Sequence, residues 1–395
     1  MTRPRAAPLA TLCTAVLLAG GCGQAGNHLA APGARGADEG EGEARGRTVV
    51  AAERTDGRPK TQTRAQAPAA WSVDFRWASQ AAAIPLTDLS VGSHGHHRGI
   101  PHGASGLTRA GPGQLLMISD RPLDAQRRLH FTDIDWSGQK PRIGRGATVI
   151  ALHGDQGCTH NLEAVDLSPD GTLWVASDVG LLGQGRIKRD AQGQPLQAVV
   201  DCSEPVPPGW FPRSCDLELN NGFETLTMFG ERPLVVTEKC IMNVAEGCAC
   251  DGPRAHHRLF EVHWPELRPK GELHVSGPGG EALRLTAAAS CPGRLLWLGA
   301  YRDTERAWHT VLLSLWLEDD KPAAAWVFAL DNQAFGRMPT MTPNLEGLAV
   351  DPSCRIGLVV NDDSSSNRQV APHPLLRSFM LPERPVDDAE STGAP

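Results

Sequence analysis

One pattern recurs four times in the chain: a small or acidic residue, an apolar strand, a tight turn, a second apolar strand and an acid. The copies lie at residues 103–120, 161–178, 221–238 and 344–362. The second polar position follows the first by 14 to 16 residues in every copy. Successive copies are displaced by 58, 61 and 122 residues, and 122 is twice 61. A fixed period of this size is typical of a repeat architecture, so it constrains the whole fold.

A fifth and more degenerate copy fills the gap in the period. Residues 283–302 keep the order strand, turn, strand, but they carry Arg284 and Arg302 where the other copies carry acids. Five copies with a period of about 60 residues predict the blades of an all-β β-propeller. Residues 71–89, together with residues 375–381, are expected to form a sixth blade from both ends of the domain. A six-bladed propeller is therefore predicted, with five or seven blades as the alternatives.

The repeat predicts that acids distant in sequence converge. Glu163 precedes and Asp178 follows a pair of apolar strands joined by a Pro-Asp-Gly turn, so both lie at the open end of a β-hairpin. If all blades share this geometry, one mouth of the central channel collects the acids of every copy. These acids are Asp120, Glu163, Asp178, Glu224, Glu238, Glu346 and Asp362, with Asp363 as an equal alternative to the last. The other interpretation is that each acid only caps its own hairpin.

Converging carboxylates repel one another unless protons or cations neutralise them. Carboxylate oxygens are hard ligands that suit calcium, with magnesium or manganese as the less favoured ions. Arg302, with Arg284 as a second candidate, would pair with the anionic oxygens of a substrate. The alternative for Arg302 is a structural ion pair with an acid of a neighbouring blade.

Three of the copies resemble the phytase-like domain family, also called esterase-like activity of phytase. The resemblance rests on Asn161-Leu-Glu-Ala-Val-Asp, Asn221-Gly-Phe-Glu-Thr-Leu and Asn344-Leu-Glu-Gly-Leu-Ala-Val-Asp-Pro, and it spans most of residues 100–365. It implies a bacterial exported β-propeller, loosely related to calcium-dependent propeller phytases, that hydrolyses phosphate or other esters. Ala164 and Thr225 replace the glycine that usually follows the motif glutamate, and Ser105 replaces an acid.

These observations together predict a metal-dependent ester hydrolase that acts on a small anionic ester, a phosphoester first of all. The catalytic residues are expected to be Glu163, Glu224, Glu346 and Arg302, with calcium as the cofactor. No Gly-x-Ser-x-Gly motif is present, which argues against a serine hydrolase of that type. Two alternatives stay open: a non-catalytic, calcium-stabilised propeller that binds a sugar, peptide or envelope partner, and a lactonase-like hydrolase.

The N-terminus has the features of a targeting segment. Arg3 and Arg5 precede an apolar run at residues 9–18, which is followed by Ala-Gly-Gly-Cys22. This resembles a bacterial lipoprotein signal, so we expect a signal peptide at 1–21, lipidation of Cys22, a tether at 22–70, the propeller at 71–385 and a tail at 386–395. The protein would then lie in the cell envelope, exported and held at the membrane only by lipid. An ordinary secretory signal is the alternative.

The net charge restricts the binding partners that we expect, and the cysteine content indicates the cellular compartment. A net charge of -7 argues against nucleic acid as a partner, and we expect a monomer. Eight cysteines follow Cys22, an even number that suits disulfides in an oxidising compartment. Local loops predict Cys202 with Cys215, and Cys240 with Cys248 or Cys250. The histidine-rich run at 94–102 is interpreted as an exposed linker, or else as a site for phosphate or a transition metal.

Overall fold

The five copies of the repeat form five antiparallel β-hairpins in the computed structural model. The structure describes residues 70–78, 82–89, 100–101, 103–119, 127–138, 140–159, 161–178, 180–203, 222–237, 256–305, 307–331, 345–361 and 376–385. The expected signal peptide, the lipidated Cys22, the tether up to residue 69 and the tail at 386–395 lie outside these ranges.

Each hairpin provides the two innermost strands of a four-stranded blade. The hairpin strands are β4 (Ala104–Gly111) and β5 (Gln114–Ser119), β8 (Leu162–Leu167) and β9 (Thr172–Ser177), β12 (Phe223–Phe229) and β13 (Arg232–Thr237), β16 (Leu283–Cys291) and β17 (Arg294–Arg302), and β20 (Leu345–Val350) and β21 (Ile356–Asn361). The prediction of hairpins from the repeat is therefore confirmed.

Further strands extend each hairpin outward. They are β6 (Arg128–Asp135) and β7 (Arg142–Gly154), β10 (Leu182–Arg189) and β11 (Pro195–Cys202), β14 (His256–His263) and β15 (Glu266–His274), β18 (Trp308–Glu318) and β19 (Lys321–Ala329), and β22 (Leu376–Met380). One helical turn, α1 (Gln156–Thr159), follows β7. Within the described ranges, no helix has the length and apolar character needed to cross a bilayer.

The innermost strands close into a ring. Strands β4, β8, β12, β16 and β20 lie side by side in that order, and β20 in turn lies against β4. We number the blades 1 to 5 by these inner strands. The all-β propeller predicted from the repeat is confirmed, and the ring brings the same end of all five hairpins to one mouth of the channel.

The core consists of one apolar cluster at each of the five blade interfaces. Strand β17 shows how the sequence builds them. Leu295 and Trp297 pack toward blade 3, whereas Leu296 and Leu298 pack toward blade 5. Since both faces of a blade are buried against neighbours, such strands read as continuous apolar runs instead of alternating ones. Five interfaces are the number that a closed ring of five blades requires.

The expected sixth blade is not formed by the described residues. The N-terminal segment contributes three short strands, β1 (Trp71–Asp74), β2 (Arg76–Trp77) and β3 (Thr87–Asp88). They attach to the outer edges of β15, β19 and β22, in blades 3, 4 and 5. The two ends of the domain do meet in one sheet, but as the outer strands of blade 5. A sixth blade needs its own inner hairpin, and the sequence contains only five copies of it.

The outer edges of blades 1 and 2 cover each other. Strands β7 and β11 pair in parallel, so the two blades form one eight-stranded sheet. With β1, β2 and β3 on the other blades, every outermost blade strand in the described ranges has a pairing partner. Blades 1 and 2 thus cover each other's outer edge, whereas the short strands β1, β2 and β3 are the edge strands of the other three blades.

Two disulfides join parts of the chain that are distant in sequence. Cys158 within α1 pairs with Cys202 at the end of β11, next to the joined edges of blades 1 and 2. Cys291 and Cys354 connect the hairpin turns of blades 4 and 5. The predicted Cys202–Cys215 pair is therefore wrong, because β7 and β11 bring Cys158 to Cys202. Cys215, Cys240, Cys248 and Cys250 lie outside the described residues.

Asp166 on β8 connects the inner strands of three blades. Its Oδ1 accepts hydrogen bonds from the Thr108 hydroxyl at 2.6 Å and the Leu167 amide at 2.8 Å. Its Oδ2 accepts one from the Met228 amide at 2.9 Å. Burial raises the pKa of the Asp166 carboxyl, although these hydrogen bonds favour its charged form. The carboxylate thus holds β4, β8 and β12 in register at the turn end of the ring.

We expect Asp166→Ala to lower the free energy of unfolding by roughly 1–3 kcal/mol, because two amides and one hydroxyl lose a buried acceptor. Urea unfolding measures this change. Asp201→Ala, which removes an exposed acid from β11 of the same blade, is the matched control and should change stability little. Equal effects of the two substitutions would contradict the assigned role of Asp166.

Candidate functional site

Every inner strand has a β-bulge at the same register position, near the open end of its hairpin. The residues at these five bulges are Ser105, Glu163, Glu224, Thr286 and Glu346. They are 58, 61, 62 and 60 residues apart, so the bulge recurs with the period of the repeat. A bulge leaves its residue out of the ladder and re-aims the side chain, and bulges are frequent beside active sites.

The two uncharged bulge residues join neighbouring blades. The Ser105 hydroxyl donates to the carbonyl of Leu162 at 2.5 Å, and the Thr286 hydroxyl donates to the carbonyl of Leu345 at 2.5 Å. Leu162 and Leu345 immediately precede the bulge residues Glu163 and Glu346. Each hydroxyl therefore fixes the backbone that carries the next glutamate. The absence of an acid at Ser105 has a structural reason.

Arg284 bridges glutamates of two different blades. Its Nη2 lies 2.8 Å from Oε1 and 2.9 Å from Oε2 of Glu224, and 3.5 Å from Oε1 of Glu346. The side chains of Glu224 and Glu346 are only 3% and 7% exposed, whereas that of Arg284 is 29% exposed. One guanidinium on blade 4 can reach blades 3 and 5 only if both carboxylates point toward it. The predicted convergence is confirmed for these two acids.

Glu163 and Asp178 form the acidic pair of blade 2. Both are buried at the open end of the β8–β9 hairpin, as the sequence predicts. Asn161 donates a side-chain hydrogen bond to Oδ2 of Asp178, and the Asp178 amide donates to the Asn161 carbonyl at 3.2 Å. Asn161 has a positive φ of 49°, a conformation that asparagine tolerates better than most residues. The first residue of the Asn-Leu-Glu motif therefore positions Asp178.

The other predicted metal ligands, Asp120, Glu238 and Asp362, lie outside the described residues, as does Asp363. So does most of the histidine-rich run, residues 94–99 and 102. Within the ranges that the structure describes, no three His, Cys, Asp or Glu side chains are grouped as ligands for a metal ion.

The register of the two arginines differs from the prediction. In blade 4, Leu285 pairs with Gly299, as Leu162 pairs with Ser177 in blade 2. Thr286 therefore holds the position of Glu163, and Ala300 holds that of Asp178. Arg284 lies two residues before Thr286, which is the residue at the bulge, yet its long side chain still reaches the mouth.

Arg302 lies two residues beyond Ala300, at the end of β17. Its side chain is exposed, and its guanidinium lies 5.9 Å from the ring centre of Trp308. Arg302 therefore does not occupy the position of an acid in blade 4. Its catalytic role stays a prediction.

Gly222 allows blade 3 to approach the mouth acid of blade 2. A Cβ on Gly222 would overlap the backbone carbonyl and Cα of Asp178. The glycine of the Asn-Gly-Phe-Glu motif thus leaves room for Asp178 beside the start of β12. This close approach helps to set the distance between the two acidic hairpins.

Gly222→Ala should lower the free energy of unfolding by roughly 1–3 kcal/mol, because the new methyl group meets rigid backbone. Thermal or urea unfolding measures the loss. Gly146→Ala on β7 is the matched control, since a Cβ there meets nothing within 4 Å. If both variants lose the same free energy of unfolding, the close packing of Gly222 against Asp178 does not account for the loss.

His257 on β14 is hydrogen-bonded to the end of β13. Its side chain is fully buried, and Nδ1 donates to the Thr237 carbonyl at 2.9 Å. Burial lowers its pKa to about 4, although backbone hydrogen bonds at Thr237 and Leu283 act in the opposite direction. His257 lies in the regular strand β14 of blade 3.

The pKa of His257 predicts a pH dependence of stability. Between pH 6.5 and about 4, this histidine is protonated in the unfolded chain but neutral in the folded one. The free energy of unfolding should therefore fall as the pH decreases through this interval, by roughly 3 kcal/mol for this residue. Urea titrations of the wild type and His257→Gln measure the effect, and the variant should show the shallower dependence. Identical slopes would contradict it.

A cavity of about 720 Å³ lies at the opposite, turn end of the ring. All five inner strands contribute to its wall, and Asp166 lies on it. Asp166 was not among the residues that the sequence pattern singled out. The sequence does contain a sign of this contact, because Thr108 and Asp166 are separated by 58 residues, which is the step between the first two copies of the repeat.

Comparison with known proteins identifies the family of this fold. A family model described as Phytase-like, esterase-like activity of phytase, matches residues 101–364. The match includes all five inner hairpins and every described mouth residue named above. No curated protein matches the chain.

Solved structures with detectable similarity are distant. An α-L-arabinofuranosidase from Podospora anserina, in complex with cellotriose, is 11% identical, with 76% of this chain and 97% of that chain covered and a TM-score of 0.41. A glucose dehydrogenase from Thermus thermophilus is 15% identical, with 71% and 85% covered and a TM-score of 0.32. Both similarities are too low to bear on activity.

Proposed function

Because the chain belongs to the Phytase-like family, we propose that it is an ester hydrolase whose reaction takes place at the acidic mouth of the ring. The observation that carries this proposal is the convergence of buried carboxylates from different blades beside one guanidinium. Such a site offers both a proton acceptor and a donor of hydrogen bonds to anionic oxygen.

Glu163 is the general base that we propose. Its carboxylate would take a proton from the attacking water as the water oxygen bonds to the phosphorus or carbonyl carbon of the ester. The bond to the alcohol oxygen then breaks, and the departing alkoxide recovers a proton from the protonated Glu163. Glu224 and Glu346 have a different role in this proposal, because both pair with the guanidinium of Arg284.

Arg284 would also orient the substrate. Its exposed fraction of 29% allows part of the guanidinium to face an ester in the mouth. A planar guanidinium matches two oxygens of a phosphate or carboxylate group. Arg302, which lies exposed over Trp308, is retained as a second contact for the anionic part of the substrate.

The residues of the mouth fit a divalent cation only in part. Glu224 and Glu346 do not fit, because a guanidinium nitrogen already lies against their oxygens. Glu163 and Asp178 are hard oxygen ligands on one hairpin and do fit, so they would hold a calcium ion or another divalent metal. When bound, such an ion would polarise the ester and lower the pKa of a bound water.

The net charge of the mouth determines whether a substrate needs this cation in order to bind. When ionised, the four acids of the mouth that the structure describes, Glu163, Asp178, Glu224 and Glu346, exceed Arg284 by three negative charges. A small anionic phosphoester, the substrate that we propose, would be repelled by this excess unless a cation joined the site. An uncharged carboxylic ester or lactone would not need one.

One observation favours a second candidate function. The pairing of Arg284 with Glu224 and Glu346 is also what a structural ion network would look like. In that case the mouth binds a sugar, a peptide or an envelope partner without chemistry.

We also propose export with a lipid anchor at Cys22, and the two disulfides support a location outside the reducing cytoplasm.

Glu163→Gln should lower kcat by roughly 10²–10⁴-fold, because the variant keeps the shape of the side chain but loses the proton acceptor. Hydrolysis of p-nitrophenyl phosphate, p-nitrophenyl acetate and a simple lactone, each with calcium and with EDTA, measures the loss. Glu266→Gln, which changes a side chain that is 67% exposed on blade 3, should keep wild-type activity.

The same measurements separate the candidates. Turnover of the phosphoester only with calcium supports the leading proposal, and turnover of uncharged esters in EDTA identifies a metal-free esterase. No turnover of any substrate under either condition would reject the enzyme and leave the binding module.

A further inference from the structure

Nη2 of Arg284 lies where a cation bound by the carboxylate of Glu224 would lie. Nη2 is nearly equidistant from the two carboxylate oxygens, at 2.8 and 2.9 Å. A carboxylate that binds a metal ion through both oxygens holds the ion at the same kind of position. The guanidinium nitrogen and a metal ion would therefore compete for one place.

The same nitrogen also reaches the second glutamate. Nη2 is 3.5 Å from Oε1 of Glu346, on the other side of blade 4. Both glutamates are almost completely buried, so neither has water to screen its charge. Two such carboxylates directed at one point need a positive charge between them. Arg284 supplies it from within the chain.

Only the degenerate fifth copy places an arginine at this position of the repeat. Arg284 lies two residues before the bulge residue of its strand. The same position holds glycine in blades 1 and 3 and asparagine in blades 2 and 5, at Gly103, Gly222, Asn161 and Asn344. Neither glycine nor asparagine carries a positive charge that could balance a carboxylate. The loss of the acidic pattern in this copy thus coincides with the gain of a cation.

We propose that Arg284 is a built-in counter-cation, which offsets one of the two negative charges of Glu224 and Glu346 and keeps a divalent metal ion out of the space between them. The calcium site expected from the family resemblance therefore does not include these two glutamates. Arg284 would balance this charge in the folded chain whether or not the protein is an enzyme.

The test compares Arg284→Met with Arg284→Lys in the full chain. Methionine removes the charge but keeps much of the side-chain volume, whereas lysine keeps the charge. Thermal unfolding in EDTA and in calcium, together with calorimetric titration of calcium, gives the readouts. Arg284→Met should melt lower in EDTA, by roughly 5 °C or more, and calcium should restore much of the loss. It should also bind one more calcium ion than the wild type, whereas Arg284→Lys should bind no more than the wild type.

Additional variants keep the test decisive. The gained calcium site should disappear in Arg284→Met combined with Glu224→Gln, since only one carboxylate then remains. If Arg284→Met does not fold in EDTA, purification in calcium should rescue it, and failure of that rescue would overturn the proposal. So would a folded Arg284→Met that gains no calcium ion. In the wild-type background, a loss of bound calcium on Glu224→Gln or Glu346→Gln would show that Arg284 does not exclude the metal.

Discussion

The mouth of the ring can form only if the negative charges that the repeat brings together are balanced. Each inner strand begins near the mouth, so a repeat that places a glutamate at every bulge would build a site that repels itself. The contact of Arg284 with Glu224 and Glu346 resolves part of this conflict. It also couples blades 3, 4 and 5 through a buried ion pair, which is costly to break once one partner is removed.

Hydrogen bonds extend the coupling to the other blades. At the mouth, Ser105 links blade 1 to blade 2 and Thr286 links blade 4 to blade 5. At the opposite end, Asp166 connects blades 1, 2 and 3. Bulge residues are therefore divided between two tasks. Hydroxyls hold the backbone of the next blade, and carboxylates face the mouth, so the irregular side-chain pattern among the five copies follows from the architecture.

Local periodicity explains why the inner hairpins and Glu163, Asp178, Glu224 and Glu346 could be predicted from sequence. A hairpin is defined by contacts between neighbouring residues, and its open end follows from the turn. The register of blade 4 was predicted incorrectly for a physical reason. Strands β16 and β17 pair two residues beyond the bulge pair, at Leu283 and Tyr301, so the start of the apolar strand no longer marks the bulge.

Pairing between distant outer strands leaves no comparable signal. The parallel contact of β7 with β11 brings Cys158 to Cys202, and the sequence around either cysteine contains no mark of it. Strands β1, β2 and β3 are two to four residues long, and the prediction assigned them to a sixth blade. They form because outer edges of blades 3, 4 and 5 need hydrogen-bond partners. The blade count therefore depended on contacts that only the folded chain contains.

The division of the acids into two groups bears on the chemistry that we propose. Glu224 and Glu346 are committed to Arg284, so a metal ion would have to rely on the acidic pair of blade 2 and on acids contributed elsewhere. Asn161 and Gly222 both act on Asp178, one through a hydrogen bond and the other by leaving space. The blade 2 pair is thus positioned by two neighbouring copies of the motif. We therefore expect an anionic substrate to bind at this pair only together with a cation. The remaining negative charge of the described mouth residues repels the substrate and attracts the cation.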